Sequence, residues 1–235
     1  MTCKQGEPIL DIRNLNAFYG HAQALFNVSF QLAAGEALAL VGNNGAGKST
    51  TLKAIMALID RQAETLRFAY EDIGLRSTHH IAQLGLGYVP EERRIFTDLT
   101  VAENLEVGRL PPRGNRQPWT PSRLYNIFPN LAEMSGRTAG NMSGGEQQML
   151  SIARTLMGNP SAVLLDEPSE GLAPIIVEQM GRAIIAMKHE GIAILLSEQN
   201  LAFAASIASR ALEIEAGSIT FDGPIASLFA KRERS

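Results

Sequence analysis

Residues 37 to 50 read ALALVGNNGAGKST, an apolar run that passes directly into a glycine-rich segment. Five consecutive apolar residues are typical of a strand that is buried on both faces of a sheet. The segment from Gly42 to Ser49 follows the pattern G-x-x-x-x-G-K-S, in which glycines let the backbone wrap around phosphate groups. From Lys48 to Ile59, apolar residues recur at helical spacing. The stretch therefore predicts a strand, a phosphate-binding loop and a helix in succession.

The residue types in this loop suit the binding of ATP and Mg²⁺. Backbone amides point at the phosphates, and the following helix adds the positive end of its dipole. Lys48 is expected to reach the β- and γ-phosphates, and the Ser49 hydroxyl is expected to ligate Mg²⁺. The residues predicted to bind the nucleotide here are Gly42, Asn43, Asn44, Gly45, Ala46, Gly47, Lys48, Ser49 and Thr50.

A second apolar run, Ala162 to Leu165, predicts another buried strand, and Asp166 and Glu167 follow it directly. Ligands of open α/β sheets bind at the carboxyl ends of the strands, so this position favours a role beside the phosphate loop. Asp166 is expected to hold Mg²⁺, and Glu167 is expected to act as the catalytic base that polarises the attacking water.

Ser143, Gly144, Gly145 and Glu146 begin a predicted helix that extends to Met157. Two interpretations fit this start. Ser143 and Glu146 have the spacing of a capping box. The two glycines also allow a phosphate to approach bare amides at the helix N-terminus. A second phosphate site in one chain suggests that these four residues bind the nucleotide of a partner chain, in trans.

The composition excludes several classes of protein. The chain has 235 residues, of which 45% are hydrophobic and 19% are charged, with one cysteine, Cys3, and a net charge of −3. These values do not fit a disordered chain, a fibrous protein or a disulfide scaffold. The negative charge also counts against a dedicated nucleic-acid binder. Neither a signal peptide nor a membrane span is predicted, and an inert thiol in a reducing cytosol is expected.

Predicted strands and helices alternate near both ends of the chain, which implies parallel βαβ units. Residues 211–215 and 218–221 predict a hairpin around Ala216 and Gly217. Between the two ends, the pattern is mostly helical from about residue 90 to residue 157, and the proline-rich segment 109–122 predicts a surface loop. The expected fold is an α/β core with a helical insertion.

The chain holds a phosphate loop, a helix that begins with Ser-Gly-Gly and an apolar run that ends in Asp-Glu, in that order. In this combination it resembles the ATPase subunit of an ABC transporter along nearly its whole length. The resemblance implies a P-loop NTPase (RecA-like) core with an antiparallel β edge, formed by residues 1–89 and 158–235. Residues 90–157 would form a helical subdomain that carries the signature helix.

The resemblance also implies partners and further site residues. Two ATPase chains, identical or different, would pack head to tail with ATP between them. Two membrane permease subunits would join them, and through these an extracytoplasmic substrate-binding protein, whereas nucleic acid is not an expected partner. The chain would lie in the cytoplasm, peripheral on the inner face of the cell membrane. Tyr19 matches the aromatic residue that stacks on adenine, although it also suits the end of a strand. Ile95 and Phe96 are expected either to face a permease or to pack in the core.

Four residues depart from the common pattern of this family. Glu91 stands in place of a glutamine, Glu146 in place of the signature glutamine, Ala173 in place of an aspartate and Gln199 in place of the switch histidine. Together, the short sequences around these residues resemble those of the smaller ATPase subunit of branched-chain amino acid importers. Because Gln199 carries no charge and Glu91 brings negative charge to the γ-phosphate, we expect this chain's own ATP site to hydrolyse more slowly than its partner's.

Three alternatives stay open at this point. Related importers of amides, urea or aromatic acids use similar ATPases. A soluble ABC-type ATPase of DNA repair or translation would share the motifs, but it usually has two ATPase modules, long coiled coils or basic patches. A small-molecule kinase could use the phosphate loop, but it has no need of the signature helix at Ser143.

Overall fold

A computed structural model describes residues 8–113 and 117–232 of the chain, and side chains as far as residue 230. The thiol of Cys3 and the N-terminal start, which the sequence predicts to be inert and free of a targeting signal, lie outside these residues. The strands are β1 (Pro8–Tyr19), β2 (Ala22–Ala33), β3 (Ala37–Val41), β4 (Asp60–Gln62), β5 (Thr65–Phe68), β6 (Glu71–Asp72), β7 (Leu86–Val89), β8 (Ala162–Asp166), β9 (Ala193–Glu198), β10 (Arg210–Glu215) and β11 (Ser218–Pro224). The α-helices are α1 (Lys48–Ile55), α2 (Thr78–Leu84), α3 (Val101–Val107), α4 (Pro121–Ile127), α5 (Pro129–Glu133), α6 (Gly144–Met157), α7 (Pro174–His189), α8 (Leu201–Ile207) and α9 (Ile225–Arg232).

The larger sheet has six strands in the order β11-β10-β3-β9-β8-β7. All neighbours in it are parallel except β10 and β11, which form the antiparallel hairpin that the sequence predicts. Strand β9 lies between β3 and β8, so the carboxyl ends of all three meet at one edge of the sheet. This edge brings the phosphate loop, which follows β3, close to Asp166, which ends β8.

Each face of this sheet is covered by its own hydrophobic core. Along β3, Ala37, Ala39 and Val41 belong to a core shared with α6, α7 and α8. The alternate residues, Leu38 and Leu40, belong to a core shared with α1 and the second sheet. The continuous apolar run therefore reflects burial on both faces, as its sequence predicts.

The second sheet is antiparallel and has the order β2-β1-β5-β6, with β4 also paired to β1. It supplies the antiparallel β part that the sequence resemblance implies. The described residues between 90 and 157 form helices α3 to α6 and one short 3₁₀ turn. The structure thus has the expected fold class, while the residue limits of a separate helical subdomain stay a prediction.

Three predicted elements end elsewhere than expected. The helix predicted to run to Ile59 ends at Ile55, because Ala57 has a φ of 57° and Asp60 begins β4. The pattern from Leu66 to Tyr70 predicts a strand, but β5 ends at Phe68, because Ala69 and Tyr70 have φ values of 50° and 71°. Left-handed residues interrupt the regular backbone of a strand or helix, and β1 and β2 pass through Asn14 and Asn27 only with shifts in their pairing register.

The proline-rich segment, predicted as a loop to residue 122, enters helix α4 at Pro121. Thr120 caps this helix by accepting a hydrogen bond from the Arg123 amide, and proline is well suited to the first helical position. Among the described residues, no helix combines the length and the apolar character that crossing a membrane requires.

Candidate nucleotide-binding site

The phosphate loop connects the end of β3 to the start of α1, as predicted. Two of its glycines are required by the backbone. A Cβ on Gly42 would lie 2.5 Å from the backbone oxygen of Ile214, and Gly47 has a φ of 116° at the helix N-cap. The loop can therefore approach β10 closely and turn into α1 with its amides at the helix N-terminus, which is a favourable position for phosphate.

Lys48 is almost completely buried, with 3% of its surface exposed. Its Nζ atom donates hydrogen bonds to the backbone oxygens of Gly42 and Asn43, at 2.9 and 3.1 Å. The same atom lies 3.0 Å from Glu167 Oε1. The ammonium group is thus held over the loop by its own backbone and by the predicted catalytic base.

Ser49 and Asp166 meet as predicted: the Ser49 hydroxyl donates to Asp166 Oδ1 at 2.8 Å. The Tyr88 hydroxyl of β7 donates to Asp166 Oδ2 at 3.2 Å. Burial raises the pKa of Asp166, and hydrogen bonds from Ser49 and Tyr88 counteract part of this rise. A buried carboxylate with an adjacent hydroxyl forms a ready site for a hard cation, because a cation offsets the cost of burying the charge.

Within the described residues, no group of three or more His, Cys, Asp or Glu side chains is arranged to hold a metal ion by itself. In nucleotide sites, Mg²⁺ is usually bound by one or two protein ligands together with phosphates and waters. Ser49 and Asp166 therefore fit Mg²⁺ that arrives with a nucleotide.

Glu167 has an unusual backbone for a residue that follows a strand, with a φ of 44°. Its amide donates to the backbone oxygen of Ser197 at 3.0 Å, which ties the end of β8 to β9. Burial raises the pKa of the Glu167 carboxyl, but hydrogen bonds from Glu170 and Lys48 and the charge of Lys48 outweigh burial and leave the pKa below its usual value. An ionised carboxylate at this position can accept a hydrogen bond from water.

Three further predicted residues surround this centre at the surface. Tyr19 ends β1 with 49% of its surface exposed, and its hydroxyl lies 3.4 Å from Thr50 Oγ1 in the first turn of α1. Glu91 is exposed and lines a small cavity that also includes Glu167. Gln199 is exposed and directly follows β9. Their assigned roles in ATP binding and hydrolysis stay predictions.

The capping interpretation of the signature helix is confirmed. The Ser143 amide donates to Glu146 Oε2 at 2.7 Å, and the Glu146 amide donates to Ser143 Oγ at 3.4 Å. The two glycines have a packing role within the chain: a Cβ on Gly144 would lie 2.7 Å from Arg93 Nη1, and one on Gly145 would lie 2.5 Å from Ile176 Cγ2. The sequence interpretation assigned them only to phosphate approach, so this role was missed; contact with a partner's nucleotide stays a prediction.

Sequence reasoning also missed several side chains of the centre. Glu198 ends β9 with 2% exposure and accepts hydrogen bonds from the amides of Ser169 and Asn200, at 3.2 and 3.3 Å. Burial raises its pKa, while these hydrogen bonds counteract the rise. The available signal was its position: like Asp166, Glu198 is an acid at the carboxyl end of an apolar run. Tyr88 and Glu170 carry no comparable signal in the sequence.

Comparisons with known proteins agree with this geometry. The family model of ABC transporters, "ABC_tran", matches residues 25–170. The chain is 40% identical to the high-affinity branched-chain amino acid transport ATP-binding protein BraG of Pseudomonas aeruginosa, covering 94% of each chain. It is 34% identical to the lipopolysaccharide export system ATP-binding protein LptB of Haemophilus influenzae, covering 92% of this chain and 90% of LptB. It is also 32% identical to a probable branched-chain amino acid transport ATP-binding protein, LivF, of Archaeoglobus fulgidus, covering 89% of each.

Solved structures show the same fold. The ADP conformation of MJ1267, an ATP-binding cassette of an ABC transporter, superposes with a TM-score of 0.81 at 24% identity, covering 97% of this chain and 96% of that one. A dimeric post-hydrolysis state of the ATP-binding cassette MJ0796, bound to ADP and Pi, superposes with a TM-score of 0.78 at 20% identity, covering 92% and 98%. With the family match and the relatives above, these findings place the chain among the ATP-binding proteins of ABC transporters, ATPases whose hydrolysis of ATP drives transport.

Proposed function

We propose that this chain is one of the ATPase subunits of an importer of branched-chain amino acids, and that it works on the inner face of the cell membrane. The observation that carries the proposal is the 40% identity with BraG, which extends over 94% of both chains. The similarity to LivF supports the same substrate class. Importers of amides, urea or aromatic acids are the nearest alternatives within this proposal.

The similarity to LptB favours a second candidate, the export of lipopolysaccharide, at 34% identity. A reconstituted transporter distinguishes the two. The chain is co-purified with its permeases and reconstituted with their binding protein. ATP hydrolysis is then measured with leucine, isoleucine, valine, urea, an aromatic acid or lipopolysaccharide. Stimulation by the three branched-chain amino acids is expected, and stimulation by lipopolysaccharide alone would overturn the proposal.

In the proposed reaction, Lys48 leaves Glu167 and pairs with the β- and γ-phosphates of ATP. Glu167 then accepts a hydrogen bond from the water that attacks the γ-phosphate, since its low pKa keeps it ionised. Ser49 and Asp166 would hold Mg²⁺, which neutralises charge on the phosphate oxygens when it is bound. Tyr19 provides an exposed ring beside Thr50 on which adenine can stack.

We propose the head-to-tail dimer for the active form, in which Ser143, Gly144, Gly145 and Glu146 contact the partner's ATP. The MJ0796 cassette, which has the same fold, is a dimer in its post-hydrolysis state with ADP and Pi. Glu91 and Gln199 suggest slower hydrolysis at this chain's own phosphate loop. The test compares Glu167→Gln in this chain with the same change in a different partner subunit. Equal loss of transport in both would contradict the asymmetry.

The permease is proposed to dock in an apolar groove of 420 Å³ between α2, β7, α3 and α6. Phe96 and Val107 line it with 48% and 55% of their surfaces exposed. Buried Asn104 fixes the backbone of Phe96 with two hydrogen bonds, at 3.0 and 2.9 Å. Ile95, by contrast, packs against the core.

The docking proposal is tested with Phe96→Ser, which should weaken co-purification of the permeases while ATP binding persists. Leu75→Ser is the matched control, because Leu75 is fully exposed and lies outside the groove. Equal behaviour of the two variants would argue against docking at this groove.

A further inference from the structure

Two side chains lie beside the Glu167 carboxylate, and only one of them is expected to remain there when a nucleotide binds. Lys48 Nζ lies 3.0 Å from it but is also the cation expected to move to the phosphates. The second is Glu170, whose side chain lines the same small cavity as the Glu167 carboxylate, in a position to form a hydrogen bond with it. The backbone draws them together, because the Glu170 amide donates to the Glu167 carbonyl at 3.2 Å across a tight turn.

We propose that Glu170 is a positioning residue for ATP hydrolysis: its carboxyl group donates a hydrogen bond to the Glu167 carboxylate and holds that carboxylate in place after Lys48 leaves. This inference depends on ATP hydrolysis by the chain and not on the identity of the transported substrate. Its failure is thus distinguishable from failure of the import proposal.

A hydrogen bond between two carboxyl groups requires a proton, and the surroundings of Glu170 supply the reason that it keeps one. The hydrogen bond to Glu167 and the negative charge of Glu167 raise the pKa of Glu170 to about 7, with smaller contributions from burial and from the charges of Glu91 and Glu198. These acids come from three different parts of the fold: the loop after β7, the end of β8 and the end of β9. Neighbouring like charges favour the neutral form of one member.

The other neighbours of Glu170 in its cavity are a neutral amide and one cation. Glu170 lines a cavity of 80 Å³ together with Glu91, Arg93, Gln148 and Glu167. Gln148, from the signature helix, is 2% exposed, and neither atom of its neutral amide has a hydrogen-bond partner among the described residues. Arg93 is the cation of this cavity, but its guanidinium lies against Gly144, at the start of α6.

The position of Glu170 also favours a role in orienting Glu167 over a role in stabilising the fold. Glu170 is exposed at the surface, whereas Glu167 is buried with 9% exposure. Removal of an exposed side chain leaves the core intact. A loss of activity in a Glu170 variant that keeps its unfolding midpoint would therefore report on the orientation of Glu167.

The test compares Glu170→Gln with Glu170→Ala in the assembled transporter, with Glu133→Ala as an exposed control. In the Gln variant, an amide N–H replaces the carboxyl donor at every pH. We expect Glu170→Ala to lower kcat about 10-fold with an unchanged KM for ATP, because a misplaced base loses rate more than binding. Glu170→Gln should keep most of the kcat.

A pH profile supplies a second readout that a merely structural role would not move. The wild-type kcat should decline as the pH rises through about 7, where Glu170 loses its proton and its negative charge repels Glu167. In Glu170→Gln this decline should disappear. The proposal is overturned if Glu170→Ala keeps full kcat, if the Gln variant loses as much as the Ala variant, or if the Gln variant keeps the same alkaline decline.

Discussion

Lys48 and Glu167 form an ion pair of 3.0 Å whose side chains are only 2% and 9% exposed. The cation that should bind phosphate and the base that should activate water thus neutralise each other before a nucleotide arrives. Neither charge is left alone in a buried site, which would be strongly unfavourable. We expect the binding of ATP at this loop to replace this pair with new partners for both groups.

The strength of this pair can be measured in the nucleotide-free protein. Lys48→Met should lower the free energy of unfolding by about 3 kcal/mol, because it leaves the Glu167 charge buried without its cation. Adding Glu167→Gln should recover part of that loss, as a urea-unfolding double-mutant cycle would show. The exposed pair Arg182 and Glu178 is the control, and its coupling should stay below about 1 kcal/mol. Additive effects of the two buried substitutions would contradict the prediction.

Tyr88 should support Mg²⁺ binding through Asp166. Its hydroxyl donates to Asp166 Oδ2 at 3.2 Å and so orients the carboxylate. Tyr88→Phe is expected to weaken Mg²⁺-dependent ATP binding about 10-fold, as loss of such an outer hydrogen bond commonly does. Titration of Mg²⁺ at fixed ATP measures the effect. Tyr125→Phe, which removes a hydroxyl from the helical region, should match the wild type, and an equal loss in both variants would refute the assignment.

Glu198 should make stability depend on pH. Burial raises its pKa in the folded protein, so its contribution to stability is fully present below about pH 4.5 and is lost as the pH rises through the folded-state pKa. Glu198→Gln does not titrate at this position. We therefore expect the variant to gain stability relative to the wild type as the pH rises above about 5, measured by urea unfolding without nucleotide. A difference that stays constant with pH would count against this, and Glu133→Gln should follow the wild type.

Gly145 should not tolerate a side chain. A Cβ there would lie 2.5 Å from Ile176 Cγ2, so Gly145→Ala should lower the free energy of unfolding by about 1–3 kcal/mol through overpacking. Thermal or urea unfolding measures the loss. Gly136→Ala is the matched control, because a Cβ at Gly136 meets nothing within 4 Å. Ile176→Ala should relieve the loss in the double variant; without such relief, the packing explanation is wrong.

The sequence predicts the long and strongly patterned elements of this fold well. Strand β3 matches its predicted limits. The expectation that functional residues meet at the carboxyl ends of the strands is confirmed by the contact between Ser49 and Asp166. The short helices α2, α4 and α5 were not predicted, since five to seven residues carry too little periodicity to separate them from loops.

The contacts around Glu167 could not be predicted, because they depend on backbone turns that sequence spacing does not reveal. The φ of 44° at Glu167 turns the chain so that Glu170 reaches back to it. Gly144 and Gly145 illustrate a second limit. Their local sequence fits both a capped helix and a phosphate site, but the residues that they pack against, Arg93 and Ile176, lie in distant parts of the chain.

The alternating packing of β3 has a consequence for ligand affinity. Because Leu38 and Leu40 are held on one side of the sheet and Ala39 and Val41 on the other, the strand cannot slide by one residue without moving every side chain into the wrong core. The phosphate loop is therefore anchored at its first residue by folding itself. The entropic cost of ordering this end of the loop is therefore borne by folding. Less of the interaction energy with the phosphates is then needed to order the loop when ATP binds.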